Sequence, residues 1–109
     1  MENSRPETVV VLMRHGERID KAPKEAEERE GEWNIKDPII THAGEQMAFD
    51  LGKLLKEKYT PELEEILGGK FDHVIVQASP YLRTMMTTAN LCRGLGIGHF
   101  TCNYMFCEW

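Results

Sequence analysis

The feature that most restricts the fold is an apolar run, T-V-V-V-L-M at positions 8–13, that ends abruptly in R-H-G-E-R at 14–18. The run is rich in β-branched residues and has no polar alternation, the pattern of a strand buried on both faces of a parallel sheet. It predicts a central strand whose carboxyl end opens into polar chemistry. Gly16 suits the turn there, because it adopts backbone conformations closed to its neighbours.

The rest of the chain supplies the partners of such a strand. Residues 21–36 are rich in Glu and Lys without an apolar face, which predicts a solvated loop or short surface helix with no chemistry. Across residues 41–59, Met47, Leu51, Leu54, Leu55 and Tyr59 recur at helical spacing, with Thr41 as N-cap and Glu45 in the first turn. Thr60-Pro61 starts a further helical segment that Gly68-Gly69 stops. Residues 73–78 (H-V-I-V-Q-A) read as a second strand, joined to the first by a right-handed crossover. Ser79-Pro80 then reads as N-cap and first position of a helix carrying Leu82, Met85, Met86, Ala89 and Arg93, ending near Gly94. Alternation from Phe100 to Cys107 predicts a half-buried strand. The order strand, helix, strand, helix, strand implies an α/β fold in one unit spanning residues 1–109.

Composition narrows the function classes. With 41% hydrophobic residues the chain is too apolar for general disorder, so a packed core is expected. The formal charge of -5, with no basic stripe, argues against a nucleic-acid partner. Cys92, Cys102 and Cys107 lack the paired spacing of a zinc site or disulfide framework and read as reduced thiols. No apolar run is long enough for a signal peptide or membrane span, so no membrane partner is expected and the expected compartment is the cytoplasm.

In an open parallel sheet, ligands bind beyond the carboxyl ends of the strands, and here that edge receives Arg14 and Arg18 from one strand and Arg83 from another. Read singly, an arginine at such a place is usually a solvated surface charge, and a lone histidine more often structural than nucleophilic. Together, three guanidinium forks would clamp a phosphate, and an imidazole between them could attack phosphorus. Arg83 adds a particular argument: a cation in the first turn of a helix opposes the macrodipole, and a bound anion would offset that cost. The glycines at 94, 96 and 98 follow a helix and do not form a phosphate-cradling loop. No metal-ligand spacing is present, so neither metal nor cofactor is expected.

R-H-G-E-R after one apolar strand and S-P-Y-L-R-T-M-M-T-T-A (79–89) after another resemble the histidine phosphatase superfamily, with its phosphoglycerate mutase-like fold. D-P-I-I-T-H-A-G-E-Q-M-A (37–48) and F-D-H-V-I-V-Q-A-S-P (71–80) resemble its helix-start and second-strand segments. The resemblance implies a three-layer α/β fold, of which this chain would be the amino-terminal half. It implies phosphomonoester hydrolysis through a phosphohistidine on His15, with Arg14, Arg18 and Arg83 binding the phosphate of a phosphorylated protein or small molecule. The closing F-C-E-W is similar to the segment bearing the general acid in phosphatases of the ubiquitin-associated, SH3-containing type, which would give Glu108 that role; an exposed chain-end glutamate is the other reading.

The superfamily's second pocket histidine has no counterpart among His42, His73 and His99, which read as structural or exposed. The pocket is therefore expected to be incomplete and the isolated chain a poor catalyst. The alternative function is a catalytically inactive, truncated phosphatase-like domain serving as a structural or interaction module. In either case a protein partner or a carboxyl half is expected to cover the sheet edge.

Overall fold

The computed structural model describes residues 8–106. Four α-helices and a small parallel sheet make the described chain α/β: α1 (Pro23–Glu28), α2 (His42–Leu54), α3 (Thr60–Leu67), β1 (Gln77–Ala78), α4 (Leu82–Leu95) and β2 (Thr101–Cys102). β1 and β2 pair in parallel, Gln77 opposite Thr101 and Ala78 opposite Cys102, with α4 as the connection. Ladder bonds from Thr101 N to the Val76 carbonyl (3.0 Å) and Asn103 N to the Ala78 carbonyl (2.7 Å) hold the pair.

Residues 8–13 depart from the expected central strand. They form no regular element, and Val10 and Leu12 are 74% and 90% exposed. A run of this kind is buried only when strands and helices lie on all sides of it, and β1 spends its described ladder bonds on β2. The expected alternating strand at 100–107 is likewise reduced to Thr101–Cys102. Asn103 ends it, because its side-chain oxygen accepts from Met105 N at 2.9 Å and turns the chain into a 3-10 segment, Tyr104–Phe106.

The helices follow their local signals more closely. Thr41 caps α2, its hydroxyl oxygen accepting from Gly44 N at 3.0 Å. The helical rod does not stop before Pro61. It widens into a π-helical turn, Leu55–Tyr59, in which Thr60 N bonds the Leu55 carbonyl, and continues as α3 to Gly68 (φ 80°). Pro61 has no N–H for the carbonyl one α-turn earlier, and a wider turn carries the helix past that gap.

α2 packs chiefly on α4, but not on the face that its large apolar residues suggest. Met47 is 71% exposed, while Gly44, Ala48 and Gly52 are buried. The reason is proximity: a Cβ on Gly52 would meet the Leu91 carbonyl and lie 3.0 Å from Gly94 Cα, so only glycines allow the two backbones to approach so closely. α4 itself begins at Leu82 with Tyr81 as N-cap, two residues later than the Ser79-Pro80 signal, because the Ser79 hydroxyl bonds Thr84 Oγ1 (2.7 Å). It ends on Gly96 (φ 79°).

Candidate active site

The R-H-G-E-R segment is fixed by a set of hydrogen bonds rather than by a strand. Ile19 N bonds the Ile39 carbonyl and Thr41 N the Glu17 carbonyl, both at 2.8 Å, and Arg18 and Ile40 form an isolated antiparallel bridge. Ile19 and Ile40 are fully buried beneath this bridge, so burial of two large aliphatic side chains, roughly 1.5–3 kcal/mol each, supports the loop that carries His15. The Thr41 hydroxyl donates to Glu17 Oε1 at 3.0 Å while it caps α2, tying the segment to that helix. Gly16 and Gly44 meet backbone to backbone, since a Cβ on Gly16 would lie 3.2 Å from Gly44 Cα.

On the opposite side the segment is held by α4. Gly16 N donates to Thr87 Oγ1 at 2.8 Å, and the Thr87 hydroxyl donates to the Arg83 carbonyl at 2.7 Å. Thr87 is 3% exposed, and leaving a buried N–H without an acceptor costs about 1–3 kcal/mol. The Gly16 carbonyl lies 2.8 Å from His15 Nδ1. A carbonyl only accepts, so Nδ1 carries the proton of this bond, and in the neutral ring the lone pair is on Nε2.

An open cleft of about 330 Å³ is lined by Arg14, His15, Gly16, Glu17, Arg18 and Lys21. It thus brings together three residues that the sequence singled out, with His15 half-buried and Arg14 exposed. Arg18 forks onto Asp20, Nε to Oδ1 at 3.0 Å and Nη2 to Oδ2 at 2.7 Å. That hydrogen-bonded pair holds the Asp20 carboxyl below its ordinary range, against a smaller opposing effect of burial.

Arg83 is not among the cleft-lining residues. It lies in the first turn of α4 with its guanidinium carbon 4.4 Å from the centre of the Tyr81 ring, a cation–π stack. Its backbone carbonyl is linked to the cleft by the chain of bonds through Thr87 and Gly16. The helix end has an anion of its own: Asp37 Oδ1 accepts from Leu82 N at 3.0 Å. The macrodipole argument for a bound phosphate is therefore met by a carboxylate within the chain. Glu108 lies outside the described residues.

Several contributors carry weaker sequence signals. Lys21 reaches the cleft and Glu25 reaches the start of α2, both from the segment given no chemistry. Glu25 Oε2 accepts from His42 N (2.9 Å) and from Arg29 Nη1 (2.7 Å), and these donors lower its pKa, the His42 amide most. Burial opposes the charge on Arg29, yet its bonds to Glu25 and Glu32 raise its pKa overall. Thr87 was findable, because it falls one helical turn after Arg83 and so shares its face. Asp37 and Glu25 were not, since each caps a helix distant in sequence.

Among the described residues no group of three or more His, Cys, Asp or Glu is placed to hold a metal ion, and no helix is long and apolar enough to cross a membrane. No curated protein and no solved structure matches the chain. A family model does, that of the histidine phosphatase superfamily (branch 2), over residues 7–100. Since that match takes in both the segment around His15 and the helix bearing Arg83, the chain belongs to the histidine phosphatase superfamily.

Proposed function

We propose that the protein hydrolyses phosphomonoesters, with His15 as nucleophile. The observation that carries this reading is the His15 ring: Nδ1 is committed to the Gly16 carbonyl at 2.8 Å, in a cleft also lined by Arg14 and Arg18. Nε2 would attack phosphorus, forming the P–N bond as the ester P–O bond breaks. The departing oxygen takes a proton from a general acid, for which Glu108 is the candidate. Water then attacks phosphorus as it gives a proton back to that carboxylate, the P–N bond breaks, and inorganic phosphate leaves with the imidazole and the acid restored. Arg14, Arg18 and Arg83 would neutralise charge on the phosphoryl oxygens. Nothing in this sequence of steps calls for a cofactor.

The finer placement, a three-layer phosphoglycerate mutase-like domain of the ubiquitin-associated, SH3-containing type, rests on the motifs R-H-G-E-R-I-D and F-C-E-W. A phosphorylated protein or small molecule in the cytoplasm is the corresponding substrate. Two experiments test the chemistry. In a longer form of the protein that supplies a second pocket histidine, rapid quenching with a labelled phosphomonoester should leave an acid-labile, alkali-stable adduct on His15. Crystals soaked in tungstate should hold the oxyanion within hydrogen-bonding distance of Arg14 and Arg83; tungstate elsewhere, or full activity in His15→Ala, defeats the assignment.

A second reading, an inactive interaction module, is favoured by the exposed apolar side chains of Val10, Leu12, Ile75 and Met105. It predicts no adduct on His15 under the same quench.

A further inference from the structure

We propose that Thr87 is a positioning residue for His15: its buried hydroxyl tethers the loop bearing the nucleophile to the helix bearing Arg83. This rests on the phosphatase reading above.

The Thr87 hydroxyl has a single proton to give. Thr87 gives it to the Arg83 carbonyl, one turn back in its own helix, at 2.7 Å. This back-bond fixes the rotor and leaves the oxygen lone pairs to accept, and the one that faces out of the helix accepts from Gly16 N at 2.8 Å. The two bonded residues are 71 positions apart in sequence. The Gly16 carbonyl in turn accepts from His15 Nδ1. One continuous chain of bonds therefore runs from the Arg83 backbone to the imidazole.

Gly16 is hemmed in from the other side. Its Cα region abuts Gly44 at the start of α2, where an added Cβ would lie 3.2 Å from Gly44 Cα and 3.3 Å from the Gly44 carbonyl oxygen. The loop thus sits between a backbone wall and a directional bond, and the bond is the adjustable half. Without it the Gly16 amide must seek another acceptor, and the displacement passes to the ring of His15. In catalysis a misplacement of about 1 Å costs on the order of a hundredfold. Thr88 is an internal control: it makes the same back-bond, to the Thr84 carbonyl at 2.8 Å, and among the described residues has no bond to the loop.

The test uses nitrogen-labelled full chain in four forms: wild type, Thr87→Val, Thr87→Ser and Thr88→Val. Valine keeps the shape and removes the hydroxyl; serine keeps the hydroxyl. Three quantities are followed: exchange of the Gly16 amide, the ring-nitrogen resonances of His15, and tungstate affinity. Thr87→Val is expected to speed Gly16 exchange about tenfold or more, move the Nδ1 resonance and weaken tungstate binding about tenfold. Thr87→Ser should restore all three, and Thr88→Val should leave them at wild-type values. A folded Thr87→Val protein with wild-type Gly16 exchange and His15 resonances overturns the proposal, as does tungstate affinity equal to that of a binding wild type. If the valine variant does not fold, the serine variant decides: wild-type Gly16 exchange supports the tether, and tenfold faster exchange overturns it. If tungstate moves no resonance in the wild type while Thr87→Val still releases the Gly16 amide, the phosphatase reading fails and the tether stands.

Discussion

Asp37 and Leu82, 45 residues apart, are joined by a 3.0 Å hydrogen bond from the Leu82 amide to Asp37 Oδ1, so the loop ahead of α2 caps the helix that carries Arg83. Removing such a cap costs about 0.5–2 kcal/mol. Asp37→Ala should lower the urea midpoint accordingly, and Asp37→Asn, which keeps the acceptor but not the charge, should lose less. Equal midpoints for all three proteins would refute the capping role.

The crossing of α2 and α4 should be intolerant of a single methyl group. A Cβ on Gly94 would collide with the Phe49 carbonyl and lie 2.8 Å from Lys53 N, both backbone atoms with no rotamer to change. Gly94→Ala should cost about 1–3 kcal/mol or more. Gly98→Ala, with nothing within 4 Å of the new carbon, should stay within about 0.5 kcal/mol of wild type in the same thermal melts.

Acid should loosen the supports of the cleft. Asp20 and Glu25 both have pKa values lowered in the fold, Asp20 first by its hydrogen bond from Arg18 and Glu25 first by the His42 amide. A depressed carboxylate contributes stability that is complete above its unfolded pKa and is lost as pH falls through the folded value. The loss should therefore begin below about pH 4.5, with no change from this source between pH 6 and 8. Glu25→Gln should flatten the acid limb of a plot of urea midpoint against pH; an unchanged limb would count against the pair.

The cysteines should differ in reactivity. Cys92 is 3% exposed and burial raises its pKa, whereas Cys102 is exposed. Iodoacetamide at pH 8, followed by peptide mass analysis, should modify Cys102 well before Cys92. Faster labelling of Cys92 would mean that the α4 face opens readily.

What the sequence discloses depends on how far each signal must reach. Thr41, Gly68 and the body of α4 were legible because capping and helical spacing act within a few residues. The exposure of residues 8–13 was not, because burial requires neighbours on every side that a strand's own composition cannot specify. The packing face of α2 is hard to read for a related reason: Met47 and Leu54 carry the apolar area, yet Gly44, Ala48 and Gly52 permit the close approach, and small residues leave a faint hydrophobic pattern. At the site, Arg14, His15 and Arg18 came together as adjacent residues must. Of the props around them, Thr87 is marked by its helical spacing from Arg83, whereas Glu25 and Asp37 act through hydrogen bonds to helix starts distant in sequence, which leave no periodic trace.

The bond from His42 N to Glu25 also bears on engineering. The segment 21–36 carries a Glu and Lys composition that invites replacement, as a surface loop to be shortened or exchanged for one from another enzyme. Yet it supplies the acceptor for the first amide of α2, the helix against which Gly16 rests. A graft that omits an acceptor at that point would shift the floor under His15 while leaving Arg14, His15 and Arg18 unaltered in sequence, so chimaeras here should be designed around Glu25 first and substrate contacts second.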